Sequence, residues 1–383
     1  MQHNKSAVHS RPAITPARDS LHVAVIGPSP HPVREPFAGG LEALVWHLVA
    51  ALRARGHVVT LFAAEGSDGA DTHHVLPGVG WQPSRSSSSI NSAPPDTSFM
   101  NNHHRHLELL MALRGPRGER FDIVHNHSLH YLPLAMAPLL PQPMLTTLHT
   151  PPTPWLESAI RASPGTPSAF AAVSAFVGRQ WSVAGTPEVV LNGVDVTTWP
   201  EGPGGDDLVW SGRINPEKAP HLAVEVARLL GRRLVLAGPV SDLNYFEGQI
   251  KPALSESVTY AGHLASADLA ALIGSSAAAL VTPVWDEPFG LVVAEALACG
   301  TPVVAFRRGG IPEIIASKVL GELVAPGNAS AMAGAVERVA LLDRRRIRRY
   351  AVAHLSLTSM ITKYERCYDR LVSTATKVHD LPA

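Results

Sequence analysis

Two successive series of short apolar runs, each alternating with amphipathic helical patterns, constrain this chain more than any other feature. The first opens at His22–Ile26, which reads as a strand, and continues through a proline-rich loop over Gly27–Gly40. Leu41, Leu44, Val45, Leu48 and Leu52 then recur at the spacing of one helix face. Gly56 stands where a glycine commonly ends a helix, and Val58–Ala63 is the next predicted strand. This βαβ opening implies a parallel sheet with ligands at the carboxyl ends of its strands. Further strands are predicted at Phe121–His125, Met144–Leu148, Ala169–Val173 and Glu188–Leu191. The Ser- and Pro-rich stretch Trp81–Ser98 reads as a mobile loop. Residues 200–207 (PEGPGGDD) read as a linker between units at 21–199 and 208–355. After it come strand Leu208–Gly212, helix Ala219–Leu230 and strands Leu234–Ala237 and Val258–Ala261. Helix Ala267–Ile273, strand Ala278–Thr282, helix Gly290–Ala298, strand Pro302–Phe306 and a strand near Leu323 come next. Helices near Ser330–Leu342 and Ser356–Thr374 end the series. The expected fold is α/β: two doubly wound, Rossmann-like units facing a cleft.

Composition narrows the function. Lys+Arg and Asp+Glu both number 32, so no global field favours nucleic acid or an anionic membrane. With 45% hydrophobic residues the chain can build well-filled cores. Two cysteines cannot make a disulfide framework, which points to a reducing compartment. No apolar run approaches the roughly 18 residues of an integral membrane segment. Residues 1–20 carry no apolar core of a signal peptide and read as a disordered tail.

The residues able to carry chemistry sit at predicted strand ends. In WDEPFGLVVAEALACGTPVVAFRRGG, Glu287 precedes a helix start and Glu295 falls in that helix's second turn. At about 1.5 Å per residue they are separated by something like the length of a sugar diphosphate. The N–H groups of Gly290, Leu291 and Val292 would be free for an anion. Either glutamate could instead merely complement the dipole or face solvent, although Glu295 has chiefly apolar neighbours. Arg213 and Lys218 in SGRINPEK could neutralise a diphosphate, or be incidental cations beside a helix start. Gly39-Gly40 permits either a tight turn or a close backbone approach to a ligand. His149 in TTLHTPP stands at a strand end, where a capping role and a ligand contact are equally open. Among 19 histidines, His125 and His127 lie two apart, but no Cys/His or H-E-x-x-H pattern supports a metal, and no Asp-x-Asp occurs. The basic run Arg344–Arg349 reads as a solvated helix face.

The segments AGGLEALVWHLVAALRARGHVVTLFA, FDIVHNHS, TTLHTPP, VVLNGVD, WSGRINPEKAPHLAVEVA and EPFGLVVAEALACGTPVVAFRRGGIPEII together resemble the retaining glycosyltransferases of family 4, which have the GT-B fold. The resemblance covers about Leu21 to Tyr368. It implies a nucleotide-diphosphate sugar donor (UDP-, GDP- or ADP-hexose) held mainly by the C-terminal domain, with neither metal nor further cofactor. Glu287 and Glu295 match the family's E-x7-E pair, the first contacting sugar hydroxyls and the second the ribose. Arg213 and Lys218 match the diphosphate-binding pair, Gly40 the glycine that approaches the phosphates, and His149 the histidine near the scissile bond. Ala219 replaces the glycine that usually comes after the lysine. The acceptor (a small molecule, a glycan or a lipid-linked glycan) is expected on the N-terminal domain near Pro28–Phe37, Trp81–Ser98 and His127–Tyr131, with His127 as a candidate contact. Residues 356–383 are expected to cross back onto the N-terminal domain. The protein is expected in the cytoplasm or peripheral to the inner membrane face. A GT-B nucleotide-sugar epimerase and a non-catalytic sugar-nucleotide-binding protein are the alternative readings.

Overall fold

The computed structural model describes residues 20–69, 97–163, 168–182 and 185–379. Its strands form two parallel sheets of six. The first holds β1 (His22–Ile26), β2 (Val58–Phe62), β3 (Ile123–Asn126), β4 (Met144–Leu148), β5 (Ser168–Ala172) and β6 (Glu188–Val189), in the order β2-β1-β3-β4-β5-β6. The second holds β7 (Leu208–Ser211), β8 (Leu234–Ala237), β9 (Val258–Tyr260), β10 (Ala278–Val281), β11 (Val303–Phe306) and β12 (Gly321–Val324), in the order β12-β11-β10-β7-β8-β9. Both sheets are covered by helices, so strands such as Val303–Phe306 are apolar throughout and wholly buried. Strand order reverses between β1 and β3 and again between β7 and β10. The carboxyl ends beside those reversals are where a doubly wound sheet leaves room for a ligand.

The helix predicted from Leu41 onward spans Gly40–Ala54 and buries Leu44, Val45, Leu48, Val49 and Leu52. Gly56 stands just past its end at φ +93, a conformation that costs other residues steric strain. One apolar cluster runs through both units, joining Leu148, Val173 and Trp181 to Phe289, Val293 and Leu297. In the last described helix, Leu357–His379, Met360, Ile361, Tyr364 and Tyr368 pack against Val23, Val25, Leu44 and Leu48 of the first unit.

Two stretches that the sequence reading characterised differ in the structure. Of the stretch Trp81–Ser98, residues 81–96 lie outside the described residues, and Thr97 and Ser98 already open a helix running to Arg114. The basic run forms helix Arg344–His354, and its arginines divide between two faces. Arg345, Arg346 and Arg349 are exposed. Arg344 instead turns inward to donate to the carbonyls of Gly274 and Ser276 and to Thr301 Oγ1. Arg348 donates to the carbonyls of Val196, Trp199 and Ala298, across the junction of the two units. The solvated-face reading therefore holds for only part of the run, because these guanidiniums satisfy carbonyls that tertiary packing has left open.

Candidate active site

A cavity of about 460 Å³ lies between the units, within the size range of small-ligand sites. Its first-unit wall includes Gly39, Gly40, Glu42, His149 and Asn192, and its second-unit wall Arg213, Lys218, Trp285, Glu287, Gly290 and Glu295. Arg213 and Lys218 come after β7, and Trp285 and Glu287 after β10, so both groups arise at the reversal of the second sheet.

Lys218 and Glu287, 69 residues apart, form an ion pair through Glu287 Oε2. The same oxygen accepts from Trp285 Nε1 at 3.1 Å, and the Lys218 ammonium lies 5.1 Å from the centre of the Trp285 ring. A diphosphate reaching Lys218 must therefore compete with a carboxylate already in place. Arg213 is exposed at the cleft and has no hydrogen-bond or ion-pair partner among the described residues, so its charge is uncommitted. The turn carrying Lys218 is held by Asn215 Oδ1, which accepts from Lys218 N at 3.0 Å. Next to it, Ala219 sits at φ 50, the only non-glycine with positive φ among the described residues. The replacement of glycine thus leaves the left-handed turn intact, at a cost of about 1–2 kcal/mol. Thr282 Oγ1 lies 3.0 Å from the carbonyls of both Lys218 and Ala219, and Trp210 Nε1 donates to that hydroxyl.

Helix Leu291–Ala298 begins at Gly290, whose φ of +99 requires glycine and where a Cβ would come within 3.1 Å of Ile311. Leu291 and Val292 open the helix, so their N–H groups lack intrahelical acceptors. Gly40, at the start of helix Gly40–Ala54, lies directly opposite: a Cβ there would touch the Leu291 side chain at 3.5 Å. Two helix starts, one from each unit, therefore converge on the cleft with their positive dipole ends. Gly39 caps the first of them in extended conformation. Glu295 lines the same cavity without a hydrogen-bond partner among the described residues, and burial pushes its carboxyl up to about 7.

His149 also lines the cavity, and burial lowers its imidazole to about 3, so the ring is neutral. His127 is a correction. Expected to meet an acceptor, it is fully buried behind His149, with Nδ1 2.9 Å from His149 Nε2 and Nε2 3.2 Å from His125 Nδ1. Its polar atoms are committed to the interior, so it cannot touch a substrate directly.

Sequence reasoning assigned no role to five residues that support this site. Trp285 shares Glu287 with Lys218, and its place in WDEP beside the glutamate was the available signal. Gly309 and Gly310 lie beneath the Glu287–Pro288 loop, where Cβ atoms would fall 2.0 Å from Glu287 O and 2.5 Å from Pro288 O. Glu313 accepts from Ala175 N at 2.7 Å and Phe176 N at 2.6 Å, while Ser174 Oγ donates to Pro288 O at 2.6 Å. These contacts tie the Glu287 loop to the first unit, and no local sequence signal announces them.

Paired doubly wound units whose cleft carries Arg213, Lys218 and two helix starts define an architecture suited to an anionic nucleotide ligand. Residues 38–198 match the family model Glycosyltransferase Family 4, and residues 199–353 match Glycosyl transferases group 1. A glycogen synthase of Mycobacterium tuberculosis (strain ATCC 25618 / H37Rv) is 29% identical over 364 residues, covering 84% of this chain and 87% of that protein. A D-inositol 3-phosphate glycosyltransferase of Mycobacterium leprae (strain TN) is 33% identical over 198 residues, 47% of this chain and 46% of its own length. The solved structure of Anabaena Alr3699/HepE in complex with UDP-glucose superposes with a TM-score of 0.68 at 18% identity, covering 91% of this chain and all of the other. The chain belongs to the GT4-type glycosyltransferases and has the GT-B fold.

Proposed function

We propose that this protein transfers a hexosyl group, with retention and without a metal ion, from a nucleoside diphosphate sugar to an acceptor hydroxyl. The observation that carries this reading is the convergence of Arg213, Lys218 and two helix starts on a cavity that Glu287, Glu295 and His149 also line. Breaking the anomeric C–O bond leaves negative charge on the diphosphate. Two cations and two dipole ends stabilise that charge more in the transition state than in the ground state. When the diphosphate engages Lys218, Glu287 is released from it and becomes free to accept from sugar hydroxyls. Glu295, as a carboxylate, accepts from the ribose. The acceptor oxygen forms the new bond to the anomeric carbon on the face the diphosphate leaves, and its proton passes to the departing phosphate oxygen. His149 is too weakly basic to take that proton, which favours the leaving group in that role. The two free cysteines, Cys299 and Cys367, support a reducing, cytoplasmic setting for this reaction. Among the described residues no helix is long and apolar enough to cross a membrane.

The test is product formation from radiolabelled UDP-, GDP- and ADP-hexoses with an acceptor panel, in the presence of EDTA. Labelled glycoside with the donor's anomeric configuration supports the reading. Release of a free epimer would support an epimerase instead, and tight donor binding without any product would support a non-catalytic sugar-nucleotide-binding protein.

A further inference from the structure

Behind His149 a chain of buried polar groups leads from the cleft to the last helix. His149 Nε2 lies 2.9 Å from His127 Nδ1, and His127 Nε2 lies 3.2 Å from His125 Nδ1. His125 Nδ1 is also 2.6 Å from the Tyr368 hydroxyl, and His125 Nε2 is 2.9 Å from Thr147 Oγ1. Thr147 Oγ1 lies in turn 3.3 Å from the Tyr364 hydroxyl. His125, His127, Tyr364 and Tyr368 are all 0% exposed. Burial holds the imidazoles of His125 and His127 well below their usual range and Tyr368 well above its own, so every member is neutral. A neutral imidazole carries one N–H, so each ring can donate from one nitrogen and accept at the other.

We propose that His127, His125 and the Tyr368 hydroxyl are positioning residues that hold His149 as the tautomer protonated on Nε2, and so present its Nδ1 lone pair to a sugar hydroxyl in the cleft. The contact between Tyr368 and His125 sets the direction. The Tyr368 hydroxyl lies 2.6 Å from His125 Nδ1 and has no other hydrogen-bond partner among the described residues, so its buried proton has only that nitrogen to go to. His125 Nδ1 is therefore the acceptor, and the His125 proton sits on Nε2, donating to Thr147. His127 must then carry its proton on Nε2 to meet the same lone pair. Sharing it accounts for the longer 3.2 Å. That leaves His127 Nδ1 bare, to accept from His149 Nε2–H. His149 Nδ1 is thus the unprotonated atom, with no hydrogen-bond partner among the described residues. The reversed chain would leave the Tyr368 proton without an acceptor in a fully buried position, which carries a desolvation penalty. The cleft thereby receives a neutral acceptor that selects for a hydroxyl able to donate. The helix that sets this state, Leu357–His379, begins after the second sheet is complete.

The sugar in this assignment rests on the transferase reading, whereas the tautomer can be measured without any ligand. In protein labelled with 15N-histidine, with His149→Gln used to assign the signal, His149 Nδ1 should resonate as a bare imidazole nitrogen and Nε2 as a protonated one. Tyr368→Phe should convert His149 to a mixture of tautomers and lower kcat about three- to tenfold. The dissociation constants of whichever of UDP, GDP and ADP bind, read by calorimetry, should not change. A protonated Nδ1 on His149 in the unmodified protein would overturn the relay. So would a Tyr368→Phe variant that melts at lower temperature with the His149 tautomer unchanged, since that is the mark of a purely structural tyrosine. If none of UDP, GDP and ADP binds the unmodified protein, the transferase reading fails while the tautomer measurement still decides the relay.

Discussion

Nucleotide affinity should depend on pH through Glu295, and the structure sets the size of the effect. The Glu295 carboxyl is pushed up to about 7 from an ordinary 4.5 by burial, with no hydrogen-bond partner among the described residues. In the free protein it is then about one-tenth ionised at pH 6 and about nine-tenths at pH 8. A ribose hydroxyl can donate to the carboxylate, so nucleotide binding selects the ionised form and returns its pKa toward the ordinary range. The affinity contributed by Glu295 should therefore rise about tenfold between pH 6 and pH 8, roughly 1.4 kcal/mol. For stability the sign is opposite. A raised carboxyl favours the folded state fully below about 4.5, and that contribution is lost as pH rises through about 7. The assay is calorimetry with UDP, GDP and ADP at pH 6, 7 and 8 on the unmodified protein and on Glu295→Gln. The terminal phosphate titrates near 6 in the same window, and taking the ratio of the two proteins removes its effect. A ratio that stays flat across this range would refute both the raised carboxyl and its assignment to the ribose.

Lys218→Ala should lower kcat roughly a hundredfold or more, as expected when one preorganised charge donor is lost, and EDTA should leave the unmodified enzyme's rate unchanged; strict dependence on Mg²⁺ or Mn²⁺ would refute the metal-free account. Glu287→Gln removes the partner that holds Lys218, so affinity for bare nucleoside diphosphate should stay level or rise while turnover falls; equal loss of bare-nucleotide affinity in Glu287→Gln and Glu295→Gln would refute their separate roles. Gly309→Ala adds a methyl group 2.0 Å from Glu287 O at φ +55, so urea unfolding should show at least ~2 kcal/mol of destabilisation or donor binding should be lost. Glu313→Ala uncaps two N–H groups of the opposite unit and should cost about 1–2 kcal/mol in the same assay.

Element type was legible wherever periodicity was strong. β1, β4 and β8 span the predicted residues, and the helix opening at Gly40 buries the stripe that its leucines marked. Helix Thr97–Arg114 was not legible, because its first half is rich in His and Asn and carries no clear apolar stripe. Arg344 and Arg348 were misread because a guanidinium that binds main-chain carbonyls looks, in sequence, like one that faces water.

The sequence by itself determined which residues could reach the cleft. A doubly wound parallel sheet gathers the carboxyl ends of its strands along one edge, so Arg213, Lys218, Glu287 and His149 were marked by their positions just past predicted strands. Only the tertiary structure decided how those residues are paired. Lys218 is held by Glu287, 69 residues away, and His127, two residues from His125, became an interior link to Tyr368 and not a substrate contact. The physical reason is that strand and helix periods are set by neighbours in sequence. Hydrogen-bond partners, burial and the resulting protonation states depend on which surfaces meet when two sheets and a final helix pack together.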